Sequence, residues 1–139
     1  MLDGVSVTKL TQVHLDAGDV YHALKSSENG YKGFGEAYFS FIKPNYIKAW
    51  KRHTRMTMNL VVPIGGVKFV FTSDKKNFFV KEIGVSDYSR LTVDPGIWFG
   101  FQGVSRPTNL LLNLSNITHD PNESERLEQH EIDYDWSIS

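Results

Sequence analysis

The chain has 139 residues, 40% of them hydrophobic and 22% charged, with a net charge of −1 and no cysteine. That length suits a single domain, residues 1–139, with its own core. The charge gives no electrostatic footprint for nucleic acid, and the absence of thiols excludes disulfides, cysteine nucleophiles and sulfur-based zinc sites.

The opening MLDGVSVTKL has neither the basic start nor the apolar run of a secretion signal. No stretch nears the roughly 20 apolar residues of a membrane helix, so a cytoplasmic protein without membrane contact is expected. From Gly35 to Lys43 the run GEAYFSFIK alternates Ala37, Phe39 and Phe41 with Glu36, Tyr38 and Ser40, which puts each set on one side of a strand. Pro44-Asn45 makes a turn, after which Ile47, Ala49, Lys51 and His53 share one strand face and Lys48, Trp50 and Arg52 the other. NLVVP and VKFVF read as a hairpin closed by Gly65-Gly66, with Val67, Phe69 and Phe71 facing the core. NFFVKEIG, RLTV, IWFGFQGV and TNLLLNLS supply further strands, separated by Asp87, the Asp94-Pro95-Gly96 turn and Arg106-Pro107. After Asp120-Pro121 the segment NESERLEQHEI carries a cap signature, Asn122 with Glu125 three residues on, and predicts a short C-terminal helix.

About nine or ten short strands must hide their edges, and an all-β jelly roll or partly closed barrel does so economically. Small barrels of this kind enclose ligand cavities, marked in sequence where polar or aromatic residues break the inward apolar pattern.

Three pieces of the chain carry a resemblance. They are GFGEAYF at Gly33 to Phe39, IKAWKRH at Ile47 to His53, and RLTVDPGIWFGFQGVS at Arg90 to Ser105, continued by LLLNLSNITHDPNESE. Together they resemble the dTDP-4-dehydrorhamnose 3,5-epimerase family, a branch of the cupins. The resemblance implies a cupin-type jelly roll, a homodimer, and a dTDP-linked 4-keto sugar as substrate in surface polysaccharide biosynthesis. It gives His53 the place of the catalytic base, and Phe34 and Glu36 the nucleotide half of the substrate, possibly across the dimer.

The same alignment puts Met58 where the family has its enolate-side lysine, Asn113 where it has its acid tyrosine, and Phe99 where it has a second histidine. Met58 offers no charge and no donor, so enolate stabilisation passes to Lys51, Arg52 or Arg55. Asn113 is left to orient the sugar, and Glu36 or Asp94 to orient the histidine. A reaction at one carbon, or binding without turnover, fits these departures.

In that chemistry a C4 ketone acidifies the protons on C3 and C5, a neutral imidazole removes one, and a cation beside the C4 oxygen holds the enolate. Arg52 and Arg55 flank His53 and are expected to depress its pKa by like charge. Lys48, Lys51, Arg52 and Arg55 form the densest basic cluster, a match for a diphosphate or simply a solvated strand edge. Trp98 and Phe99 are adjacent, so only one can stack on a ligand inside. His14, His22, His119 and His130 lie at no metal-ligand spacing, and His53-Thr54-Arg55 lacks the second histidine of a metal-binding cupin, so neither metal nor cofactor is expected. The two rivals to an epimerase or isomerase are a non-catalytic cupin that binds a sugar nucleotide and a metal-dependent cupin oxygenase.

Overall fold

The structure, a computed structural model, describes residues 1–138. Twelve strands follow in order: β1 (Val5–Lys9), β2 (Gln12–Val13), β3 (Val20–Tyr21), β4 (Glu36–Ile42), β5 (Ile47–His53), β6 (Met58–Ile64), β7 (Gly66–Thr72), β8 (Phe79–Gly84), β9 (Ser89–Val93), β10 (Trp98–Gly103), β11 (Asn109–Ser115) and β12 (Ser124–Arg126). Two five-stranded antiparallel sheets, ordered β1-β9-β6-β11-β4 and β12-β5-β10-β7-β8, face each other, with β2 and β3 as a separate hairpin. This is the all-β jelly-roll arrangement that the strand rhythm predicts.

The core lies between the sheets. Met58, Leu60 and Val62 of β6 and Leu91 and Val93 of β9 meet Val67, Phe69 and Phe71 of β7 and Ile83 of β8. The β6–β7 turn is closed by Gly65 at φ 78°, so one of the two glycines supplies the left-handed backbone. Gly35 is required for a different reason: a Cβ there would fall 2.1 Å from the Ile117 carbonyl carbon, so only glycine lets the chain enter β4 beside that loop.

A second apolar cluster forms where the C-terminal tail crosses the outer face of the second sheet, bringing Ile132 and Trp136 onto Trp50, Val70 and Trp98. Lys68 secures the tail. It is buried, donates to the carbonyls of Trp136 and Ile138, and lies beneath the rings of Tyr134 and Trp136.

The expected C-terminal helix is reduced to a three-residue 3-10 turn, Gln129–Glu131. The residues before it add to the free edge of β5 instead, with Ser124 opposite His53 and Arg126 opposite Lys51. An open sheet edge and a buried partner for Glu123 outweigh a local cap signal, because tertiary pairing satisfies more backbone groups than one helical turn could.

On β4 the polarity is inverted. The apolar set Phe39 and Phe41 is exposed on the outside, while Tyr38 and Ser40 line the interior of the sandwich. Among the described residues no helix is long and apolar enough to cross a membrane.

Candidate active site

Between the sheets, away from the densest packing, lies a cavity of about 690 Å³, within the size range of small-molecule sites. Its apolar walls include Met58, Leu60, Phe69, Phe99 and Leu111, and its polar groups are His53, Lys51, Asn113, Tyr38 and Ser40. The exposed side chains of Lys48, Arg126, Glu128 and Glu131 rim it.

His53 ends β5 on the second sheet, 4% exposed, with its ring stacked on Phe99 at 5.8 Å. Its Nδ1 lies 2.6 Å from Oε1 of Glu123, a carboxylate that is itself 2% exposed. The other oxygen of Glu123 accepts hydrogen bonds from the backbone N–H groups of Thr54, Arg55 and Met56, at 3.0 to 3.1 Å. The carboxylate is thus anchored by the chain that follows the histidine, and it fixes the imidazole with Nδ1 as donor. Nε2 is left as the free base.

Burial pushes the His53 pKa below the ordinary imidazole value, with Lys51 and Arg126 adding like charge and Glu123 pulling the other way. The direction agrees with the sequence expectation but the cause does not. Arg52 and Arg55 turn outward and pair with Glu125 and Asp120 instead. For Glu123, burial opposes ionisation, but the hydrogen bonds from His53 and from the Met56 and Arg55 amides win and hold its pKa below the usual carboxylate value.

Lys51 reaches the cavity wall from the same strand face as His53. Burial and the neighbouring Arg126 guanidinium lower its pKa from the ordinary ammonium value. On the opposite sheet Asn113, 3% exposed, donates from Nδ2 to the Tyr38 hydroxyl at 2.9 Å, while its Oδ1 has no partner among the described residues. Asn113 and Tyr38 face each other across the β11–β4 ladder.

Several sequence-predicted residues lie elsewhere. Arg52 bonds Glu125 at 2.7 Å and stacks on Trp98, 4.8 Å from guanidinium carbon to ring centroid, on the outer face of the second sheet. Trp98 is therefore not a cavity residue; Phe99 is the inward member of that pair. Arg55 is exposed beside Asp120. Phe34 is 66% exposed in the loop before β4, and Glu36 accepts from the His119 amide, so neither lines the cavity. Glu36 and Asp94 are not the histidine's carboxylate partner; Glu123 is.

The strand pattern missed three residues. Glu123 is hidden in the apparent helix cap, Arg126 in the same segment, and Tyr38 in an alternation that leaves open which side of the strand faces in. Among the described residues no group of three or more His, Cys, Asp or Glu side chains is arranged to hold a metal ion.

Neither a family model nor a curated protein sequence matches the chain. Solved structures do. A dTDP-sugar isomerase from Desulfovibrio desulfuricans G20 is 30% identical, superposes with a TM-score of 0.92, and is matched over 99% of this chain and 93% of its own. QdtA, a sugar 3,4-ketoisomerase from Thermoanaerobacterium thermosaccharolyticum in complex with TDP, is 16% identical with a TM-score of 0.79, over 95% and 94% of the two chains. RmlC, a dTDP-6-deoxy-D-glucose-3,5-epimerase from Legionella pneumophila in complex with dTDP-4-keto-L-rhamnose, is 12% identical with a TM-score of 0.82, over 99% and 81%.

Proposed function

Since the chain belongs to the RmlC-like cupin family of dTDP-sugar isomerases and epimerases, we propose that it acts on a dTDP-linked 4-keto-deoxyhexose, moving a proton at a carbon beside the ketone with His53 as base. The observation that carries this is the His53–Glu123 pair, 2.6 Å apart in the wall of a sugar-sized cavity. Nε2 removes the proton, the electron pair shifts into an enolate, and Glu123 holds the imidazolium that results. The Lys51 ammonium, on the same wall, stabilises the enolate oxygen in place of the lysine that Met58 has displaced. The unpartnered Asn113 Oδ1 accepts from a sugar hydroxyl and sets the ring's orientation.

The diphosphate sits at the rim beside Arg126 and Lys48, where guanidinium and ammonium groups meet solvent. No redox step is involved, so the reaction needs no cofactor. The nucleotide-sugar substrate sets the location in the cytoplasm and the role in polysaccharide biosynthesis.

The active form is a homodimer. Phe39 and Phe41 are 60% and 68% exposed on edge strand β4, and the half-buried Leu110 and Leu112 of β11 stand opposite them on the same outer face. An apolar sheet face of this kind is what a second copy covers. Phe34, exposed in the loop that leads into the same strand, then lies where it can reach the nucleotide of the partner's site.

The test is incubation with dTDP-4-keto-6-deoxyglucose in heavy water, read by proton NMR, beside a dTDP titration by calorimetry. Loss of the C3 or C5 proton signal is expected. Binding of dTDP with both protons retained would make the protein a non-catalytic binding module.

A further inference from the structure

Resting on the nucleotide-sugar reading above, we propose that Trp50 is a positioning residue for the substrate's two charged ends. By holding one extra residue out of the β5–β10 ladder, it turns Lys48 onto the cavity wall that carries Lys51 and His53, so that one lysine meets the diphosphate and the other the ketone oxygen. Strand alternation alone forbids this arrangement. Lys48 and Lys51 are three residues apart in the chain, and such residues lie on opposite faces of a regular strand.

The pairing register shows how the parity changes. Lys51 stands opposite Phe99 and Ala49 opposite Gly100, so two adjacent residues of β10 face three of β5, and Trp50 is the one left over. Beyond it the faces are exchanged. Lys48 stands opposite Phe101, an inward residue like Phe99, and both lysines line the cavity with His53. Ala49 and Ile47, which alternation puts beside His53, pack instead with the outer apolar cluster, where a Cβ on Gly100 would fall 2.7 Å from that of Ala49.

Trp50 is held firmly enough to fix the extra residue. Its side chain is 2% exposed in the outer cluster, its ring lies 5.4 Å from that of Trp136, and its Nε1 donates to the Gln129 carbonyl at 3.1 Å. Its backbone N–H and carbonyl both bond Leu127, at 3.0 and 3.1 Å. The tail segment that grips Trp50 also sets Arg126 opposite Lys51, which brings a third cation to the rim.

The spacing suits the substrate class. Phe99 and Phe101 are two residues apart, so the lysines opposite them stand about 7 Å apart along the wall. In a 4-keto sugar nucleotide the diphosphate is on C1 and the ketone on C4, across the ring from it. One cation for each, on one wall, is what the bulge supplies.

The experiment measures dTDP binding by calorimetry for the wild type, Lys48→Met, Trp50→Val and the double variant. Each single change should weaken binding about 10-fold, the scale of one charge-assisted contact, and the double variant should bind no more weakly than either. With a strand-forming valine in place of the indole, β5 pairs regularly and position 49 faces inward. Adding Ala49→Lys to Trp50→Val should therefore restore binding, a rescue that a merely structural tryptophan would not permit. If Trp50→Val does not fold, Trp50→Phe supplies the test: it loses the bond to Gln129 and should weaken dTDP about threefold, with no effect in a Lys48→Met background. Wild-type affinity in the Trp50 or Lys48 variant, a double variant weakened about 100-fold, or no rescue by Ala49→Lys overturns the positioning assignment and leaves the substrate reading standing. Absence of dTDP binding by the wild type overturns both.

Discussion

His53 and Glu123 are 70 residues apart in the chain and 2.6 Å apart in space, joined because the short strand β12 pairs with the strand that ends in the histidine. The carboxylate serves two purposes at once. It orients the base, and it satisfies three consecutive backbone amides after it.

Glu123→Gln keeps an oxygen for the backbone amides but loses the charge behind the imidazole. Turnover should fall by about 10- to 100-fold with little change in KM. Glu123→Ala also strands the buried Met56 amide, at about 1–3 kcal/mol, and leaves the Arg55 amide without its acceptor, while Thr54 keeps the carbonyl of residue 123. It should lower the melting temperature markedly, as read by calorimetry.

The pH profile has a definite sign. His53 titrates below the ordinary imidazole value, near 6.5, because burial disfavours its charged form. The neutral base is therefore present at and below that pH, and kcat/KM should be flat from about pH 6.5 to 8 and fall only on further acidification. Stability follows the same sign. The unfolded chain protonates this histidine near 6.5 while the folded one resists, so stability declines as pH drops below that value. Glu123, whose folded pKa is lowered, adds a second loss as pH falls below the ordinary carboxylate value. Chemical denaturation across pH should show the first decline disappear in His53→Asn.

Two neighbouring cations should behave oppositely. Lys51 faces the cavity, so Lys51→Met should reduce kcat by about 100-fold, the scale of losing one preorganised charge at a developing oxyanion. Arg52 faces outward, so Arg52→Ala should leave kcat within about twofold. Its loss costs only the partly exposed Glu125 pair and the Trp98 stacking, about 1–2 kcal/mol of stability. Steady-state kinetics on the two variants settles which strand face carries the chemistry.

The outer face of β4 gives an assembly prediction. Phe39→Glu with Phe41→Lys should shift the protein from dimer to monomer in analytical ultracentrifugation. Each chain should still fold, because both positions are exposed in the single chain. A monomeric parent protein would refute this.

The strands were legible because alternation and turn residues are local. Pro44-Asn45, Gly65 and Asp94-Pro95-Gly96 each end a segment where the structure ends it, with Asn45, Gly65 and Gly96 all at positive φ. His53 was legible through its place at the end of IKAWKRH. What local pattern could not give was which side of a strand faces in when both sides carry aromatics. On β4 the larger apolar set lies outside, and that concealed Tyr38. Nor could it give Glu123, since Asn122 and Glu125 mimic a helix start while the adjacent carboxylate is committed to a strand end 70 residues away. The arginine fork beside His53 misled for a related reason: Arg52 lies in a strand, where neighbours point to opposite faces.

The most direct test is a crystal structure of His53→Asn with dTDP-4-keto-6-deoxyglucose. The account predicts the hexose ring between the two sheets, with C3 or C5 within about 3.5 Å of the residue 53 side chain, Lys51 beside the ketone oxygen, and the diphosphate at the Arg126 rim. A hexose bound outside the cavity, or one presenting neither carbon to residue 53, would contradict it.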